Sequence, residues 1–100
     1  MIRRVVRAMA VSEDEFESWC FRNGGETYDD ESTSGLVCGF PDTETDDRVG
    51  YYSANNVFEV ITNGRFYSSR SLHQHADSWI DESDRLHIDT DETRVVIDPR

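Results

Sequence analysis

The sequence predicts an α+β fold: an antiparallel sheet with a central three-stranded meander and a C-terminal hairpin, and two helices packed on it over about 12–23 and 72–82. Three observations carry this. Two tight-turn pairs, Asn55-Asn56 and Asn63-Gly64, tolerate positive φ and bracket β-favouring residues. Ser12 and Glu15 form a capping box ahead of an apolar stripe. Arg85–Asp98 reads as two alternating segments around Thr90–Thr93. The predicted order is β-α-β-βββ-α-ββ within a single domain over residues 1–100.

Ile2–Val11 fits a helical stripe at Ile2, Val5, Val6 and Met9, but the β-branched Val5-Val6 pair and the cap that follows favour a strand. The first helix then opens at Ser12. Glu13, Asp14 and Glu15 suit the positive end of the helix dipole; Phe16, Trp19 and Cys20 form the buried stripe; Gly24-Gly25 ends it. Asp29–Ser34 reads as a solvated connection, Gly35–Phe40 as a strand, and Pro41–Asp47 as an acidic loop.

The meander is expected over about Val49–Ala54, Val57–Thr62 and Arg65–Ser69. With two-residue loops, Tyr51, Val60 and Tyr67 share one face and Gly50, Ile61 and Phe66 the other. Neither face is cleanly polar, so both are expected to be at least partly covered. Leu72, Ala76, Trp79 and Ile80 recur at i, i+4, i+7 and i+8, one face of a second helix capped by Ser71. In the closing hairpin, pairing Asp89 with Arg94 sets Ile88 opposite Val95, Leu86 opposite Ile97 and Arg85 opposite Asp98, so apolar pairs share one face.

Charge is the strongest compositional signal. Asp and Glu number 21 against 10 basic residues, all Arg, for a net charge of −11. The absence of Lys with an excess of acid resembles the composition of proteins from extreme halophiles. That resemblance implies a chain held compact by salt, since at ~1 M the screening length falls to about 3 Å. Eleven aromatics (5 Phe, 4 Tyr, 2 Trp) argue against a disordered acidic tail. No apolar run is long enough to span a membrane, and the N-terminal residues lack the apolar core of a signal peptide, so a cytoplasmic protein without membrane attachment is expected.

The chemical motifs are sparse. Cys20 and Cys38 lie in no CxxC, and two buried free thiols are the expectation, with a disulfide the minor alternative. Cys20, Cys38, His73 and His75 form a weak metal-ligand set, because two histidines two residues apart on a helix point nearly opposite ways. Asp89–Asp91 and Asp42–Asp47 look superficially like calcium loops, but from Asp89 the sixth position is Arg94, not Gly. No GxSxG, Walker, GxGxxG or HExxH pattern occurs, which points away from catalysis and from any cofactor.

One window stands apart. Val60–Ala76 contains no acid and carries Arg65, Arg70, His73 and His75 with Phe66 and Tyr67 between them. Core strands have few acids anyway, which is the plain structural explanation. The functional expectation is a partner surface of Tyr51, Arg65, Tyr67 and Arg70 on a non-catalytic, self-associating interaction protein, a homodimer or a binder of another protein. The alternatives are a nucleic-acid-associated regulator using the same Arg and aromatic residues and a small thiol- or metal-dependent enzyme.

Overall fold

The computed structural model describes residues 9–30, 35–40, 47–63 and 68–99. Among them are one helix and eight strands in two antiparallel sheets. They are α1 (Glu13–Arg22), β1 (Glu26–Asp30), β2 (Gly35–Gly39), β3 (Arg48–Tyr52), β4 (Val57–Asn63), β5 (Ser68–His73), β6 (Asp77–Ile80), β7 (Leu86–Asp89) and β8 (Arg94–Ile97). Strands β1 to β5 form a meander in sequence order, and β6 to β8 form a second, smaller one.

Helix α1 begins where the sequence places it. The Ser12 hydroxyl accepts from the Glu15 amide at 3.1 Å and the Glu15 carboxylate accepts from the Ser12 amide at 3.1 Å. Phe16, Trp19 and Cys20 point inward and are fully buried. At the other end Gly24 takes φ +81, a conformation open to glycine, and the Gly25 amide bonds the Cys20 carbonyl at 2.8 Å. Gly25 is required for space: a Cβ there would lie 2.6 Å from Cys20 Sγ and 2.8 Å from Cys38 Sγ.

The helix covers one face of the larger sheet. Phe16 is the hub, with its ring 5.9 Å from Trp19, 5.6 Å from Tyr51 and 6.3 Å from Phe58. Tyr51 and Phe58 are directly opposite across β3 and β4 and stack at 4.4 Å. Leu86 and Ile88 of the smaller sheet complete the same core. Residues 9–11 stitch the layers together. The Ser78 amide donates to the Met9 carbonyl at 2.8 Å, the Val11 amide to Ser78 Oγ at 3.0 Å, and the Tyr51 hydroxyl to the Val11 carbonyl at 2.6 Å. The turn after β6 docks on the end of α1, where Trp19 Nε1 donates to the Asp84 carbonyl at 2.8 Å and Arg22 pairs with Asp84 at 2.8 Å.

Several expectations are corrected. Among the described residues there is one helix, not two. Leu72 lies in β5 and is 54% exposed, while 77–80 form β6. The helical spacing of Leu72, Ala76, Trp79 and Ile80 is outweighed by pairing: Trp79 sits opposite His87 and Ile80 opposite Leu86, and His75 at φ 53 breaks the chain between the strands. A segment this short has little helical stability of its own to set against a ladder that buries one face. Trp79 is only half-buried, stacked on His87 at 4.8 Å.

The meander loops are also longer than two residues. Tyr51 pairs with Phe58 and Val49 with Val60, which leaves 53–56 as the turn; β5 runs 68–73 instead of 65–69. A shift by two keeps every side chain on its face, so the face assignment of Tyr51 and Val60 survives the change of register. Strand β1 runs through Asp29 and Asp30, the first two residues of the expected connection. Of the N-terminal strand, 2–8 lie outside the described residues and 9–11 join no ladder. Cys20 and Cys38 are not free thiols but a disulfide, S–S 2.09 Å, joining α1 to β2. The C-terminal hairpin has the expected register, Ile88 with Val95, Leu86 with Ile97 and Asp89 with Arg94. Arg85 instead bonds Asp81 at 2.9 Å.

Candidate interaction surface

Alternation along β1–β5 sends every second side chain to the face opposite α1. Tyr28, Val37, Gly50, Glu59 and Leu72 form one row straight across the five strands, and Gly39, Arg48, Ile61 and Arg70 form a parallel row. Tyr28 is 47% exposed and Leu72 54%; Val37, Tyr52, Val57 and Ile61 are half-buried. This face is therefore apolar and aromatic yet open.

Glycine shapes it. A Cβ at Gly35 would run into the ring of Tyr52, and one at Gly50 would lie 3.2 Å from its hydroxyl oxygen. The Tyr52 ring thus lies low over β2 and β3, flanking a shallow hollow of about 310 Å3 lined by Tyr28, Val37, Arg48, Gly50 and Ile61. Arg70 crosses the face to Glu59, Nη2 to Oε2 2.6 Å, and that hydrogen bond raises the Arg70 pKa above its ordinary value.

Of the residues expected to form a partner surface, the two that are described, Tyr51 and Arg70, lie on opposite faces of the sheet. Tyr51 is on the covered face, 2% exposed, and burial above all, with Glu13 and Glu15 nearby, pushes its hydroxyl pKa up. Arg70 is exposed on the opposite face. Arg65 and Tyr67 lie outside the described residues. The proposed metal set is overturned at its sulfurs, which are bonded to each other. Among the described residues no group of three or more His, Cys, Asp or Glu is arranged to hold a metal, and no helix is long and apolar enough to cross a membrane. Tyr28, Val37, Tyr52 and Ile61 were not singled out from the sequence. The signal available was the period-two alternation that sets Gly50 and Tyr52 of β3 on the same face as Val57 and Ile61 of β4.

His73 and His75 both line a cleft of about 570 Å3 between β5 and the turn joining β7 to β8. His73 is 7% exposed. Its Nε2 lies 3.0 Å from Ser71 Oγ and its Nδ1 3.4 Å from Thr93 Oγ1. Comparison of the chain with protein-family models, with curated proteins and with solved structures finds no match.

Proposed function

We propose that this chain is a small interaction protein that pairs with a second copy of itself through the open face of the five-stranded sheet. The observation that supports this is the contrast between the two faces. One is closed by α1, and the other presents Tyr28, Val37, Tyr52, Ile61 and Leu72 with nothing but the side chains themselves to shield them among the described residues. Exposed apolar and aromatic side chains gathered on one sheet face and bordered by charged ones, here Arg48, Glu59 and Arg70, are a mark of association. Apolar burial is also the attraction best suited to two copies of net charge −11, because salt that screens their repulsion leaves it intact.

A nucleic-acid role fits less well. Arg70 is already engaged by Glu59, and molar salt removes the counterion-release gain that favours polyanion binding. The charge excess argues for a salt-rich cytoplasm. The disulfide is compatible with that setting because both cysteines are fully buried, out of reach of a reductant.

Sedimentation at ~2 M KCl, where charge repulsion is screened, tests the reading. The parent should run as a dimer, and Leu72→Asp and Tyr28→Asp as folded monomers, since both side chains are half-exposed and outside the core. A monomeric parent, or a dimer indifferent to both substitutions, would refute it.

A further inference from the structure

We propose that Ser71 and His73 form a nucleophile–base pair for acyl transfer, opening on the cleft between β5 and the β7–β8 turn. This goes beyond the interaction role and uses the opposite side of β5. Residues two apart on a strand share a face, which brings an exposed hydroxyl at Ser71 against a nearly buried imidazole at His73. The two atoms are 3.0 Å apart, within the reach a general base needs.

The proposal takes the proton on His73 Nδ1, where Thr93 Oγ1 at 3.4 Å is placed to accept it, so that Nε2 is a bare acceptor facing Ser71. Thr90 holds that oxygen in place: its Oγ1 accepts from the Thr93 amide at 3.1 Å and lies 3.0 Å from Thr93 Oγ1. Thr93 is thus a positioning residue in the place where hydrolases of this type usually hold a carboxylate, and a neutral hydroxyl stabilises the imidazolium less. Slow turnover is expected.

The chemistry balances with an ester and water. Ser71 Oγ bonds to the acyl carbon as its proton moves to His73 Nε2. The tetrahedral centre collapses, the ester C–O bond breaks, and the alcohol leaves with the Nε2 proton. Water then adds to the acyl-serine, giving its proton to Nε2, and the carboxylic acid departs as Ser71 Oγ recovers that proton. Asp91 and Glu92 line the opposite wall of the cleft and the whole chain is strongly acidic, so the substrate class is a small neutral or cationic ester.

The test uses the full chain at ~2 M KCl, chosen for screening. A fluorophosphonate probe should label Ser71, located by peptide mass spectrometry. Hydrolysis of p-nitrophenyl acetate should exceed that of the p-nitrophenyl succinate half-ester and should fall about 100-fold in Ser71→Ala and in His73→Gln, the scale of general-base assistance. Thr93→Val should reduce the rate less and move the ring 15N resonances of His73 away from the Nδ1–H pattern. Absence of label on Ser71, hydrolysis unchanged in Ser71→Ala, or a parent His73 protonated at Nε2 would each overturn the proposal. None of these readouts depends on whether the chain dimerises.

Discussion

Replacing both Cys20 and Cys38 by Ala removes a cross-link that closes a loop of 18 residues. On the chain-entropy model a loop of that length restricts the unfolded chain by about 3 kcal/mol. A domain this size has about 5–15 kcal/mol in total, so a large share of the stability goes. Near the midpoint each kcal/mol is worth roughly 4–8 °C, which puts the expected fall in Tm at about 12–24 °C. Both sulfurs are fully buried against Phe40 and Gly25, so lost packing adds to the entropic loss. The assay is urea denaturation and thermal melting in molar KCl, on the parent, on the parent reduced while unfolded and refolded with reductant present, and on the double variant. The reduced parent should melt with the variant, and the urea m value should rise for both because the unfolded chain expands once released. A fall of less than about 4 °C, equivalent to under about 1 kcal/mol, would show that the cross-link does not constrain the chain as argued.

The two tryptophans should separate sharply. Trp19→Ala should cost about 3–5 kcal/mol, and Trp79→Ala clearly less because Trp79 is half-buried; equal losses in chemical denaturation would contradict this packing. Asp81 is held well below the ordinary carboxylate value of 3.8, first by the hydrogen bond from His87 Nε2 at 2.7 Å and then by the Arg85 amide. A depressed carboxylate stabilises the fold above its unfolded pKa and loses that contribution as pH falls toward the folded value. Acid melts from roughly pH 5 to 2 should therefore fall less steeply in Asp81→Asn than in the parent, and parallel curves would remove Asp81 from the account. Finally, the melting midpoint should rise from ~0.05 to ~2 M KCl as self-repulsion is screened; circular dichroism showing a midpoint independent of salt would end the halophilic reading.

Where the signal was local, the sequence carried it. Ser12 and Glu15 cap α1 because a capping box satisfies its own backbone donors within four residues. The hairpin register from Leu86 to Ile97 follows from alternation around a short loop, and only one pairing puts Ile88 on Val95 and Leu86 on Ile97. The composition likewise sets the charge and the salt expectation without reference to any contact. Tertiary structure decided the rest. The pattern Leu72, Ala76, Trp79, Ile80 satisfies a helix equally well, and it became two strands because β4 and β7 supply ladders that local propensity does not know about. Which face of the meander is covered was not in the alternation, since both faces carry aromatics. Placing α1 over Tyr51 and Phe58 buried one tyrosine and left Tyr28 and Tyr52 on the open side. The disulfide is of the same kind: Cys20 and Cys38 acquire their partner only when the helix lies across β2, because their Cα atoms then stand 5.9 Å apart.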